Sequence, residues 1–215
     1  MGYLPEALRN YLLRLGWAHG DDEIIPTAQA IEWFDLPGIG RSPSRFDFAK
    51  LDNLNGHYLR EADAGRLVEL IAPRLVGDGA FSPVHAARLL AGMDGLKARA
   101  KTLVELAQNA AFYVAARPLP LDDKARALAT PEARRLVAAL GHAIRPINDW
   151  SEAPLEAEVR NFAESQGVKL GSVAQPLRAA LTGSMTSPGI FEVMRVLGRD
   201  ETTGRMSDFG TITGD

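Results

Sequence analysis

The side chains of this 215-residue chain most able to do chemistry are cations at helical spacing. Residues 66–145 carry 12 Lys and Arg against 7 Asp and Glu, a net +5, whereas residues 1–65 and 146–215 each carry 6 against 10. A local positive field of this kind steers phosphates even though the formal charge of the whole chain is −3. Its densest run is Lys97, Arg99 and Lys101. The competing reading of such a run is a solvated helix face.

Other reactive types are absent or scattered. The chain has no Cys, which excludes disulfides, thiolate nucleophiles and thiolate metal sites and fits a reducing compartment. His19, His57, His85 and His142 include no pair at the i, i+4 spacing of a helical metal site. Gly38-Ile39-Gly40-Arg41-Ser42-Pro43 begins like a phosphate loop but ends in proline and follows no strand, so it reads as a plain loop. Asp21-Asp22-Glu23 reads as a solvated acidic tripeptide. With no P-loop and no Gly-x-Ser-x-Gly elbow, an autonomous enzyme is not expected. No stretch approaches 18 uncharged apolar residues and the first residues do not form a signal peptide. The expectation is therefore a cytoplasmic chain that engages no membrane.

The elements that must position these cations are helices. Leu8, Tyr11, Leu12 and Leu15 recur at i, i+3, i+4 and i+7 between Pro5 and Gly16. Phe48, Leu51 and Leu54 follow the cap candidate Asp47, with Asn55-Gly56 as the expected stop, and Leu67, Leu70 and Ile71 follow Asp63. Ser82-Pro83, Thr130-Pro131 and Ser187-Pro188 each join a side-chain acceptor to a ring preset for the first helical turn. The longest stripe runs Leu89, Met93, Leu96, Ala100, Leu103, Ala107, Ala110, Val114. Further helices are expected around 131–140, 156–166, 175–181 and 188–197, with Gly141, Gly167, Gly183 and Gly198 just beyond them. Alternating patterns are scarce. The fold class is all-α, in three pieces over 1–76, 77–146 and 147–215, with breaks at Val76-Gly77-Asp78-Gly79 and Arg145-Pro146.

Three blocks carry a family resemblance. Gly2-Tyr3-Leu4-Pro5-Glu6-Ala7-Leu8-Arg9-Asn10-Tyr11-Leu12, then Phe46-Asp47-Phe48-Ala49-Lys50-Leu51-Asp52-Asn53-Leu54-Asn55-Gly56-His57-Tyr58-Leu59-Arg60, and then Gly167 to Phe191 resemble bacterial glutamyl-tRNA synthetases. The last block includes Ala174-Gln175-Pro176-Leu177-Arg178-Ala179-Ala180-Leu181-Thr182-Gly183, which is similar to the family's C-terminal signature. The resemblance implies a helical stem-contact domain followed by two helical anticodon-binding domains. The family's catalytic core, with its His-Ile-Gly-His-like motif and lysine signature loop, has no counterpart in this sequence. ATP and Mg would belong to the parent enzyme, and no cofactor is expected in this piece. The tail Glu201–Asp215 departs from the family's Leu/Arg-rich final helix, and its Gly and Thr content predicts fraying.

What the resemblance implies about sites is specific. Lys50 and Arg60 fall where the stem-contact domain meets the RNA backbone. Arg99 matches an arginine that contacts the third anticodon base, with Lys97 and Lys101, one helical turn apart, as auxiliary phosphate contacts. Arg160, Arg178, Ser187, Pro188 and Ile190 match positions around the first two anticodon bases, Ile190 being expected exposed against a base face. The partner is then tRNA-Glu rather than DNA, and a monomer is expected. The alternative is a free-standing helical RNA- or protein-binding module that keeps the synthetase scaffold only. Fold alone does not separate the two.

Overall fold

The structure is a computed structural model that describes residues 1–41, 43–76 and 81–212. Among them are twelve helices and no strand, only an isolated bridge between Trp17 and Ile39. The fold is all-α. The chain divides into two compact units, Met1–Gly77 with Lys97–Gln108, and Asp78–Leu96 with Asn109–Asp215. The break expected at Val76-Gly77-Asp78-Gly79 lies outside the described residues from Gly77 onward.

In the first unit, α1 (Pro5–Gly16) packs on α3 (Phe48–Glu61) and touches the short α2 (Thr27–Trp33); α4 (Ala64–Val76) follows α3. Proline opens α1 where its missing N–H costs nothing. The buried face of α1 is Ala7, Asn10 and Tyr11, with Leu4 just before it, whereas Leu8 and Leu12 are exposed. The expected stripe is thus out of phase, and Asn10 supplies the reason. Its side-chain oxygen accepts from Ile25 N–H and from the Tyr58 hydroxyl (2.9 Å), and its nitrogen donates to Glu23 C=O at 2.9 Å. A polar side chain that ties down two distant segments has to face inward, whatever the leucines on either side prefer.

Asp47 caps α3 by accepting from the backbone N–H of Ala49 (2.9 Å) and Lys50 (3.3 Å). Asn55-Gly56 does not end this helix, which runs on to Glu61. Fully buried Asn55 accepts from Leu4 N–H at 2.7 Å and donates to Lys101 C=O, so it acts as a polar bolt inside the unit. Leu103 N–H donates to Gly2 C=O at 2.8 Å beside it.

The long apolar stripe is buried from Leu89 to Ala110, but on two helices, α5 (Pro83–Lys97) and α6 (Leu103–Val114). Within the second unit, Gly92 meets the Tyr113 ring: a Cβ there would lie 2.7 Å from it. After the short α7 (Asp123–Ala127), the centre of this unit is α8 (Pro131–Ile144), packed against α9 (Glu152–Ser165), α10 (Leu170–Thr182) and α12 (Arg199–Gly210); α11 (Ile190–Leu197) packs on α9 and α12. Thr130 caps α8 through Ala133 N–H at 3.2 Å, as its Thr-Pro pair predicts. Gly141 is no stop; it lies inside α8 in contact distance of Met206.

The tail is corrected most. Residues 199–210 form α12, which buries Thr202, Arg205, Met206 and Phe209, and only the residues from Thr213 onward lie outside the described chain. The Thr and Gly that predicted fraying are used in packing: Thr202 is fully buried, and Gly204 leaves room for the Arg117 guanidinium, which forks onto Asp208 at 2.7 and 3.0 Å. That pair holds the Asp208 carboxyl below the usual carboxylate range. Arg205, 1% exposed, donates to Glu201 (2.7 Å) and to Leu181 C=O (2.7 Å), and Arg88 reaches Glu201 at 3.2 Å. Burial pushes the Glu201 carboxyl up, but Arg205 and Arg88 together overcome it and hold the group low.

Candidate nucleic-acid interface

The first unit carries Lys50, Arg60, Lys97, Arg99 and Lys101; the second carries Arg160, Arg178, Ser187, Pro188 and Ile190. Lys50 stands exposed in the first turn of α3 and Arg60 in its last. Lys101 joins Arg60 in space. A Cβ built on Gly56 would lie 3.4 Å from Arg60 Nη1 and 3.7 Å from Lys101 Cγ, so both long side chains cross the same bare patch of helix.

Lys97 and Lys101 are not a turn apart on one helix. Helix α5 ends at Lys97, and Ala98 to Thr102 form a break that holds the exposed Arg99 and Lys101. The Asn55 and Gly2 contacts to Lys101 and Leu103 hold the chain off a helical course, and α6 is restarted by a reciprocal cap. Thr102 Oγ1 accepts from Glu105 N–H at 3.1 Å, while the Glu105 carboxylate accepts from Lys101 N–H at 2.8 Å.

In the second unit, Arg160 is exposed on α9 and pairs with Glu156 one turn earlier, at 2.5 and 2.9 Å. Arg178 Nη1 donates to Ser187 Oγ, to Ser187 C=O (3.3 Å) and to Pro188 C=O (2.8 Å). One guanidinium nitrogen therefore fixes the whole turn before α11. Ser187 does not cap that helix. Gly189 takes the cap position and α11 begins at Ile190, two residues later than the Ser-Pro pair predicts, because the serine is bound to Arg178 instead. Ile190 is only 5% exposed and Pro188 is buried. The expectation of an exposed Ile190 is corrected: its position on the inner face of α11, with Val193, Met194 and Leu197, commits it to the core.

A further group escapes the sequence reading. Lys50, Asn53, His57 and Arg60 recur at i, i+3, i+7 and i+10 on α3, within a sector of about 80° at 100° per residue. The stripe runs about 15 Å at 1.5 Å per residue. Three of its members, Lys50, Asn53 and His57, line a cleft of about 340 Å³ with Arg14 and Arg45, together with Tyr11, Leu15, Ile24 and Leu54 and the polar Asn10 and Glu23. The signal available was that polar period, overlooked beside the apolar one. Among the described residues no group of three or more His, Asp or Glu is placed to hold a metal, and no helix is long and apolar enough to cross a membrane.

Comparison with known proteins agrees with this architecture. The family model for an anticodon binding domain matches residues 66–209, from α4 to α12. Glutamate–tRNA ligase 2 of Rhodospirillum centenum is 60% identical over 211 residues, covering 97% of this chain and 45% of that protein. Glutamate–tRNA ligase of Rhodopseudomonas palustris is 55% identical over 215 residues, covering 46% of its own length. The crystal structure of a glutamate tRNA ligase from Elizabethkingia meningosepticum, in complex with its amino acid, superposes with a TM-score of 0.82 at 28% identity, over 97% of this chain and 41% of that one. This chain thus spans less than half the length of the relatives it matches. A family match across two thirds of the residues, on an all-helical fold shared with those ligases, leads to one conclusion: the chain belongs to the anticodon-binding domain family.

Proposed function

We propose that this chain is the tRNA-binding, anticodon-recognising portion of a glutamate–tRNA ligase, a cytoplasmic enzyme that attaches glutamate to tRNA-Glu using ATP and Mg. The observation that carries this reading is the 60% identity to a protein of that name across 97% of the chain. Glutamate activation is assigned to the remainder of the ligase, and the chain is taken to act as a monomer. Lys50 and Arg60 serve as stem contacts. Cations suit that work because phosphate contacts position an RNA without reading it. Arg99 and Arg160 are the anticodon-side donors, with Lys97 and Lys101 adding attraction to phosphates. Arg178 acts through the Ser187–Pro188 turn that it holds, so the partly exposed Ser187 rather than the buried Pro188 and Ile190 is offered to the RNA. The test is a titration with tRNA-Glu and with an unrelated tRNA over a range of salt. Tighter binding of tRNA-Glu, weakening linearly in log salt, is expected. Equal affinity for both RNAs would overturn the reading.

Discrimination is expected to sit at Arg99. A third anticodon base of C specifies glutamate and G specifies glutamine, so the choice is made at one base edge. Cytosine offers an oxygen and a ring nitrogen as acceptors for a guanidinium, and guanine presents a different pattern. Arg99→Gln should lose about 1–3 kcal/mol of affinity for tRNA-Glu and narrow its margin over tRNA-Gln. Lys101→Gln should weaken both RNAs alike. Paired titrations at fixed salt check this, and an unchanged affinity ratio for Arg99→Gln would remove the base-reading role.

A further inference from the structure

The cleft between α1 and α3 has the composition of a nucleotide site rather than of a solvated helix face. Three basic side chains, Arg14, Arg45 and Lys50, converge on about 340 Å³ from separate stretches of chain. Two of those stretches are fixed by hydrogen bonds. The Arg14 guanidinium donates to Asp22 C=O, and Lys50 sits in the first turn of α3, whose Ala49 and Lys50 N–H groups are capped by the Asp47 carboxylate. The Tyr11 hydroxyl accepts from Asp47 N–H, which ties α1 to that same turn. The rest of the lining includes the apolar Leu15, Ile24 and Leu54, with Ile24 38% exposed, and one carboxylate, Glu23, so the three cations leave the cleft net positive. Buried Asn10 anchors the segment that carries Ile24 by bonding Glu23 C=O and Ile25 N–H on either side of it. Three cations against one carboxylate, beside apolar side chains, suit the two halves of a nucleotide, a charged phosphate and a flat ring. The volume falls in the range of small-molecule sites.

We propose that this cleft takes one unpaired nucleotide of the bound RNA, its phosphate against Arg14, Arg45 and Lys50 and its base along Ile24 and Leu54. Asn53 and His57 at the rim carry the strand onward along the α3 stripe toward Arg60. This deepens the tRNA-binding reading, on which it rests, and gives roles to Arg14, Arg45, His57 and Ile24 that the stem-contact assignment of Lys50 and Arg60 does not contain.

The two halves make different demands of an experiment. Binding of tRNA-Glu is measured across a salt series for the full chain and for Arg45→Gln, Ile24→Ser and Arg135→Gln, the last removing an exposed charge on α8 of the second unit. Arg45→Gln should weaken binding roughly three- to tenfold and reduce the salt slope by about 1, the signature of one lost phosphate contact. Ile24→Ser should weaken binding by roughly the same factor with the slope unchanged, because a base on an apolar wall releases no counterion. Arg135→Gln should leave the affinity within roughly twofold. Equal loss for Arg45→Gln and Arg135→Gln would overturn the phosphate half, and full affinity for Ile24→Ser would overturn the base half. A parent chain that binds tRNA-Glu while both cleft variants match it would sink this proposal and leave the tRNA-binding reading standing. A parent chain that binds no tRNA would sink both.

Discussion

Replacing Arg205 with alanine is expected to lower the unfolding free energy by about 3–5 kcal/mol, a large part of what holds a domain of this size together. Arg205 is 1% exposed and its partners are specific: the Glu201 carboxylate and Leu181 C=O, each at 2.7 Å. Removing the guanidinium leaves Glu201 to Arg88 alone, strips Leu181 C=O at the end of α10 of its donor, and opens a void between α12 and α10. The charge itself contributes less than its arrangement does. Burial works against the cation, lowering the Arg205 pKa, and Glu201 only partly offsets this. Arg205→Met, which restores volume without charge, should therefore cost clearly less than Arg205→Ala. Urea unfolding followed by far-ultraviolet circular dichroism measures both. An alanine variant within 1 kcal/mol of the parent chain would show that the buried network carries no net stability.

Gly183→Ala is expected to cost about 2–4 kcal/mol, from two sources that add. Gly183 ends α10 at φ +71°, where a Cβ is strained by roughly 1 kcal/mol or more. The same Cβ would also stand 2.4 Å from Pro120 C=O. That neighbour is backbone and has little freedom to retreat, since Asp122 N–H donates to Gly183 C=O at 2.9 Å from the same loop. Separating the two would break the hydrogen bond that joins them. Gly167, also at positive φ but with no heavy atom near its missing Cβ, isolates the first source. Thermal melting of the two alanine variants should therefore rank Gly183 well below Gly167, and equal midpoints would mean that the loop yields freely.

How much of this was legible in the sequence depended on whether a local signal acted alone. Asp47 and Thr130 read correctly as caps because a carboxylate or hydroxyl next to a helix start has no better partner within reach. Ser187 failed as a cap because Arg178, nine residues earlier in sequence and adjacent in space, takes its hydroxyl. Asn55-Gly56 looked like a stop, and was instead a buried amide with two long-range partners beside a glycine that admits Arg60 and Lys101. The phase of α1 failed for the same kind of reason, since Asn10 outranked two leucines. The stretch 199–210 has poor propensity and a weak apolar stripe, yet it is helical because Arg205, Met206 and Phe209 find places on α8 and α10. Of the candidate site residues, Lys50, Arg60, Arg99, Lys101 and Arg160 are exposed, while the turn-apart spacing of Lys97 and Lys101 is broken where α5 ends. The burial of Ile190 follows its period with Val193, Met194 and Leu197, which sets the inner face of α11 and overrides the exposure that the resemblance implies.

The bolt at Asn55 also governs how the gene can be divided. The chain passes between its two compact units at 77/78, at 96/97 and again at 108/109, so no single cut yields both units whole. A clone ending at residue 77 would omit the stretch 97–108. The amide of Asn55, fully buried, would then have lost Lys101 C=O as its acceptor, and Gly2 C=O would have lost the Leu103 donor. A clone starting at residue 78 would keep 97–108 without the residues that hold it. The short insert between α5 and α6, with its two basic side chains Arg99 and Lys101, is thus held in register by residues about a hundred positions upstream at one contact and under fifty at the other. A change of backbone at Gly2 would be felt at Leu103, about a hundred residues downstream, through the hydrogen bond they share.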